Sequence, residues 1–195
     1  NECDFLFLPS VEEIYPQQPN MEYQLGELST TLEGEHRPGH FAGVVAVVSR
    51  LFEIIKPSVA YFGEKDYQQV AVIKWLVKEF KFDLKVEVFP TVRDKNGLAL
   101  SSRNYNLSEE GKNKASLIYK SLMFCKENYK IDGPYDVIEK AKTILGNDFK
   151  LDYFEIVDEN TFVSGKGINQ IKMPRAFIAA YLEGVRLIDN MSLNY

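Results

Sequence analysis

Apolar positions in the first half of the chain alternate between short unbroken runs and longer stretches with helical spacing. Residues 3–8 (CDFLFL) are almost wholly apolar and end at Pro9, which predicts a buried parallel strand. Residues 9–20 carry three prolines and read as a loop. Phe41, Val44, Val45, Val48, Leu51, Phe52 and Ile55 then fall on one helical stripe, and Lys56-Pro57 stops it. Residues 59–62 form a second apolar strand ending at Gly63. Val70, Ile73, Leu76, Val77 and Phe80 mark a second helix, and residues 85–89 alternate like a third strand closed by Pro90. Strand, loop, helix, strand, helix, strand in that order predicts an α/β unit with a mostly parallel sheet.

After Arg93 the pattern changes. Asp94-Lys95-Asn96-Gly97 is a strong turn signal. Ser108 followed by Glu109 and Glu110 reads as an N-cap with acidic first-turn residues, opening a long helix to about Asn128. Asp132-Gly133-Pro134 starts another helix that Gly146 can end. Residues 151–157, 176–182 and 185–188 are strand-like, the last two separated by a turn at Glu183-Gly184. The expected organisation is an α/β unit over 1–93, followed over 94–195 by a small α+β domain with an antiparallel sheet.

A chain of 195 residues is long enough for a sizeable core, and 45% hydrophobic with 26% charged residues is an ordinary globular balance. The net charge of −5 argues against nucleic acid as a partner but leaves room for a local basic site for a phosphorylated ligand. Cys3 and Cys125 are far apart and lack metal-ligand spacing, so they read as reduced structural thiols in a reducing, cytoplasmic compartment. No stretch approaches the roughly 18 apolar residues of a membrane span, and no signal peptide is visible. The chain opens on Asn1-Glu2-Cys3 and enters an apolar run at once, which reads as a start inside a longer protein.

Three polar stretches carry candidate chemistry. Gly63-Glu64-Lys65-Asp66 falls where a strand ends and a helix begins, the place where open α/β sheets bind ligands and helix N-termini favour anions. There Gly63 admits close approach to the backbone, Lys65 offers a point charge for phosphate, and Asp66 can accept from ribose hydroxyls. Gln69, one turn on, can reach a second ligand in the same cleft. A solvated loop with a helix cap would account for the same residues. Leu100-Ser101-Ser102-Arg103 follows a flexible turn at the join of the two halves; two hydroxyls and an arginine can grip phosphates, although a polar linker entering a helix is the plainer alternative. The third stretch, residues 32–41, holds both histidines, His36 and His40, but Pro38 and Gly39 interrupt any helix across them, so a substrate-shaping loop or helix entry is expected and a bound metal is not. P-loop, G-x-G-x-x-G and G-x-S-x-G signatures are all absent.

GEHRPGHFAGV (34–44), YFGEKDYQQ (61–69) and NGLALSSRN (96–104), with LPSVEEIYP (8–16) and RLIDN (186–190), resemble the pantothenate synthetase family in order and over nearly the whole chain. The resemblance implies a Rossmann-type domain with a smaller C-terminal lid, here a partial Rossmann-type parallel-sheet domain at 1–93 and the lid at 94–195. It implies ATP-dependent ligation of pantoate and β-alanine through a pantoyl adenylate, with Mg²⁺ accompanying ATP and release of AMP and pyrophosphate. By motif, Gly63, Glu64, Lys65 and Asp66 match ATP contacts, Val92 lines the adenine site, and Leu100, Ser101, Ser102 and Arg103 match a mobile phosphate-gripping loop. Leu100 stands where many members carry Met. Lys65, Ser101, Ser102 and Arg103 are the expected catalytic set. Gln69 matches a pantoate-holding glutamine, and Val47, Val48 and Phe62 are candidates for the apolar wall facing pantoate's methyl groups. Family members begin with a strand and a P-T-M-G-x-L-H-x-G-H loop, neither of which occurs in these 195 residues, so this chain alone is expected to be inactive and the full-length parent active, as a homodimer. The alternatives are another adenylyl-transferring ligase or a non-catalytic nucleotide- or partner-binding fragment; a tRNA-binding role conflicts with the acidic balance.

Overall fold

A computed structural model describes residues 6–19, 21–165 and 171–194. The predicted strand at 3–8 falls partly outside these residues. Its described part, Leu6 to Leu8, has no strand conformation, and Leu6 and Leu8 are 81% and 83% exposed. An apolar run predicts burial, yet a parallel strand also needs neighbours on either side. Within the predicted loop that follows, Ser10 caps a single helical turn, α1 (Val11–Ile14), through a reciprocal pairing with Glu13.

The α/β unit follows the sequence pattern closely. A one-turn helix, α2 (Glu33–His36), leads through Gly39 at φ +80° into α3 (His40–Ile55). Lys56, in the left-handed conformation, donates its N–H to Phe52 O, and Pro57 prevents continuation. Strands β1 (Val59–Gly63) and β2 (Lys85–Phe89) pair in parallel, with α4 (Tyr67–Glu79) as the crossover between them. Val45 and Phe52 of α3 meet Val72, Ile73 and Leu76 of α4, and Ala60, Phe62 and Val86 of the sheet pack onto that cluster.

Beyond β2, residues 92–100 fold back on themselves. Leu100 N donates to Val92 O at 2.9 Å, and Asp94 Oδ1 accepts from Asn96 N and Leu98 N, as the predicted turn requires. A short 3₁₀ turn, residues 102–106, precedes the long helix α5 (Glu109–Leu145). Ser108 caps α5 through Gly111 N, and the Glu183 carboxylate grips both the backbone and the hydroxyl of Ser108. The two predicted helices are joined into one run with a break at Gly133 (φ 78°, ψ 173°). The first extends past Asn128 because nothing interrupts it before Gly133-Pro134.

Strands β3 (Lys150–Asp158), β4 (Pro174–Leu182) and β5 (Val185–Ser192) form an antiparallel sheet in that order. Glu183 and Gly184 both have positive φ, the geometry of a two-residue hairpin turn. Along β4, Ala176, Ile178 and Leu182 pack against α5, while Phe177 and Ala179 pack with Leu32, Tyr67 and Ala71 of the α/β unit. Alternate side chains thus bury both faces, which explains the unbroken apolar run at 176–182. Cys125 is a free, buried thiol of α5 whose pKa is pushed up to about 12 by burial, so it is a packing residue; Cys3 lies outside the described residues.

The backbone at Gly133 is one that only glycine adopts without strain. Gly133→Ala should therefore cost roughly 1–3 kcal/mol, read as a lower urea midpoint with an unchanged slope; an unchanged midpoint would mean the break can straighten.

Candidate active site

The carboxyl end of β1 turns at Gly63 into a 3₁₀ turn, Glu64–Asp66, from which α4 starts. Two features of β4 and β5 hold that turn. Asn190 Nδ2 donates to Glu64 O (3.0 Å) and Lys65 O (2.9 Å), and Arg175 Nη2 donates to Glu64 Oε1 (3.0 Å). Arg175 also stacks on Tyr67, 3.8 Å from the ring centroid, and donates to Glu159 and Asn190. The Glu64 side chain is therefore occupied by an ion pair, while Lys65 points to two adjoining clefts.

The first cleft brings Lys65 together with Ser101 and Arg103 of the loop at residues 100–103, named the hinge loop for its place between the two halves, beside Leu98, Tyr119 and Asp189. Ser101 Oγ accepts from Arg103 N (3.3 Å), which caps the 3₁₀ turn. Among the described residues no carboxylate pairs with Lys65 or Arg103, whereas Arg93, Arg175 and Arg186 are each ion-paired. Two unpaired cations meeting from different elements make a receptor for a polyanion. The enclosed space between them is about 10 Å³. Leu100 and Ser102 line a shallow groove on the other side of that loop, with Tyr105 and Lys112. Val92 and Leu100 are joined through their backbones, and both side chains are exposed.

The second cleft shares Lys65 and adds Asp66, Gln69, Arg37 and His40. The neighbouring Gln68 serves a different purpose. It is buried, accepts from Glu33 N (3.0 Å) and donates to Leu28 O and Thr31 O, fixing α2 against α4. Val47, Val48 and Phe62 line neither cleft: Val48 and Phe62 pack on the α3–α4 core, and Val47 is 46% exposed. Sequence patterns missed Glu33, which floors the second cleft. Its carboxylate accepts from Arg186 Nη2 (2.7 Å), Arg186 Nη1 (3.0 Å), Tyr153 Oη (2.9 Å) and Arg37 Nη1 (3.3 Å). Arg186 in turn donates to Asp152, which His36 Nδ1 approaches at 3.1 Å. Burial and then the Arg37 charge lower the His40 pKa below 6.5, so at neutral pH its imidazole is uncharged.

Residues 1–192 match the family model described as pantoate-beta-alanine ligase. The chain belongs to the pantoate–β-alanine ligase family. It is 48% identical to a pantothenate synthetase of Cytophaga hutchinsonii, with 97% of this chain and 68% of that protein covered. Among solved structures, a Thermus thermophilus pantothenate synthetase superposes with a TM-score of 0.88 at 38% identity, covering 98% of this chain and 70% of that one. A Francisella tularensis pantoate-beta-alanine ligase, complexed with beta-gamma ATP and beta-alanine, superposes at 0.69 with 36% identity, covering 93% and 62%. The mixed α/β architecture, with its parallel pair and separate antiparallel sheet, is that of the ligase family.

Within this ligase fold the Glu33–Arg186 pair is one of several largely buried charge contacts, and its pH dependence follows from its environment. Burial alone would raise the Glu33 carboxyl, but Arg186, with Tyr153 and Arg37, overrides it and holds the pKa below 4.5. Its linked stability is therefore fully present above about 4.5 and is lost as pH falls through the depressed value. Arg186→Met should cost about 3–5 kcal/mol at pH 7 by stranding a buried carboxylate. In urea titrations the deficit relative to the unmodified chain should shrink as pH falls, since Glu33 then takes up a proton. A deficit independent of pH would show that the lost stability is packing, not charge.

Proposed function

We propose that this chain forms the ATP and pantoate side of a ligase that joins pantoate to β-alanine. The observation that carries the reading is the meeting of Lys65, from the end of β1, with Ser101 and Arg103, from the hinge loop, in one cleft. Gln69 stands in the adjoining cleft that shares Lys65. The Francisella relative's complex with an ATP compound and beta-alanine supports the assignment of substrates. In this reading the chain divides near Arg93, with 1–93 carrying nucleotide and pantoate and 94–195 acting as the lid.

In the first step a pantoate carboxylate oxygen attacks the α-phosphorus of ATP, and the bond from that phosphorus to the β-bridging oxygen breaks. Pyrophosphate leaves and pantoyl adenylate remains. Lys65 and Arg103 face the negative charge that accumulates on the phosphates, and Ser101, in the same cleft, donates a hydrogen bond to them. Gly63 lets the nucleotide approach the backbone, Asp66 accepts from the ribose hydroxyls, and Val92 and Leu100 flank the adenine. Glu64, tied to Arg175, holds the turn in shape. In the second step the neutral amine of β-alanine attacks the acyl carbon, the carbon–oxygen bond to AMP breaks, and the amine gives up a proton to solvent. Gln69 holds pantoate throughout.

Mg²⁺ enters as part of the ATP substrate. Among the described residues no group of three or more His, Cys, Asp or Glu is arranged to hold a metal. Val47, Val48 and Phe62 lie outside both clefts and are left out of the proposed pantoate wall. A cytoplasmic homodimer completes the reading, and among the described residues no helix is long and apolar enough to cross a membrane.

The deciding experiment replaces the matching stretch of the Thermus thermophilus enzyme with these 195 residues and assays pantoate-dependent exchange of pyrophosphate into ATP. Exchange without β-alanine is expected, and Lys65→Ala or Arg103→Ala should lower it about 10²-fold or more, the size of losing a charge-stabilising group in a transition state. The 195-residue chain by itself, which holds no H-x-G-H loop, should give none. A folded chimera that binds ATP but performs no exchange would overturn the ligase reading in favour of a nucleotide-binding module.

A further inference from the structure

The two loops of the first cleft come from opposite faces of the antiparallel sheet, and consecutive residues of β5 reach one each. Cross-strand pairing puts Asn190 opposite Phe177, on the face against the α/β unit, and Asp189 opposite Ile178, on the face against α5. From the first face Asn190 Nδ2 holds the carbonyls of Glu64 and Lys65 at 3.0 and 2.9 Å. From the second, Asp189 accepts a bidentate pair from Arg93, Nη2 to Oδ1 at 2.9 Å. Arg93 sits at the base of the 92–100 hairpin, donates to Gly97 O (3.1 Å) and lies over the Tyr119 ring.

Both residues are only 4% exposed, and both oxygens of Asp189 and both amide hydrogens of Asn190 are engaged. Asp189 Oδ1 also accepts from Asn190 N (2.8 Å), and Asn190 Oδ1 accepts from Arg175 Nη1 (2.6 Å). Charge-assisted, bidentate contacts of this kind fix geometry more tightly than single neutral bonds. β5 is an edge strand, so the loops it holds meet along its free side, where Lys65 faces Ser101 and Arg103.

We propose that Asp189 and Asn190 are positioning residues that hold the two phosphate-binding loops in register, Asp189 through Arg93 for the hinge loop and Asn190 for the Lys65 turn. The inference rests on the ATP-binding reading of that cleft, and it gives each residue its own loop. Neither residue needs to touch substrate. The spacing between Lys65 and Arg103 is set through β5, and losing one link should disable one loop and spare the other.

The test is a set of double-mutant cycles on ATP affinity, measured by calorimetry with Mg²⁺ and ATP. Arg103→Ala alone should weaken ATP about tenfold or more, as loss of a charged hydrogen bond does. In an Asp189→Asn background it should have less than about a twofold further effect, while Lys65→Ala keeps its full effect. In an Asn190→Ala background the pattern should reverse. Full additivity in both backgrounds would overturn the proposal. If Asp189→Asn fails to fold, Arg93→Lys cuts the same bidentate link from its less buried partner and must show the same selectivity. Amide hydrogen exchange without nucleotide reads the links directly. Asp189→Asn should speed exchange at Gly97, Leu98 and Leu100, and Asn190→Ala at residues 64–66. Equal exchange of both segments in both variants would sink the idea, whereas a failure of the unmodified chain to bind ATP would count against the nucleotide reading alone.

Discussion

Burial of β4 on both faces is the constraint on which the arrangement depends. One face gives α5 its core, and the other gives the α/β unit the apolar surface formed by Phe177 and Ala179. A two-stranded parallel sheet is marginal alone. Here β1 and β2 are backed by α3 and α4 on one side, and α4 in turn leans on β4 through Tyr67 and Ala71. The antiparallel sheet thus acts as the shared wall of two cores, and the clefts open where its outer strand meets the loops of both.

That wall also decides the electrostatics. A sheet pressed between two layers cannot carry lone charges, since an unpaired buried ion costs several kcal/mol. Arg175, Arg186 and Asp189 accordingly each meet an opposite charge supplied by another part of the chain: Glu64 and Glu159, Glu33 and Asp152, and Arg93. What remains unmatched among the described residues at the cleft is Lys65 and Arg103, on elements that can reach solvent. The surplus of positive charge is thus local, within a chain whose net charge is −5, and it sits where a phosphate would neutralise it.

Local signals carried the helices and strands well. α3 and β2 begin and end where periodicity and the prolines at 57 and 90 place them, because a period and a stop signal coincide at each. Residues 3–8 show the limit: an apolar run announces burial but not the partner, and Leu6 to Leu8 are exposed here. The site divides in the same way. Gly63 to Asp66 and Ser101 to Arg103 were legible because turn chemistry and charge lie next to each other in sequence. Glu33 and Arg186 are 153 residues apart, and a pair of that kind leaves no local trace. Adjacent glutamines were the hardest: a step of one residue around α4 separates Gln69 at the cleft from Gln68 in the buried join with α2.

The role given to Asp189 and Asn190 follows from strand geometry more than from their chemistry. Successive side chains on a strand point to opposite faces, so a polar pair in the middle of an edge strand can reach two layers that a helix or loop would need two separate elements to reach. A slip of one residue in the β4–β5 register would turn the carboxylate to the face of the Glu64 and Lys65 carbonyls, which repel it, and the amide to the α5 face, away from the carbonyls it serves. The tight turn at Glu183-Gly184 sets the register at one end, and the polar pair rewards only that register near the other. The same two side chains that tie down the two cleft loops therefore also select the strand alignment that makes such ties possible.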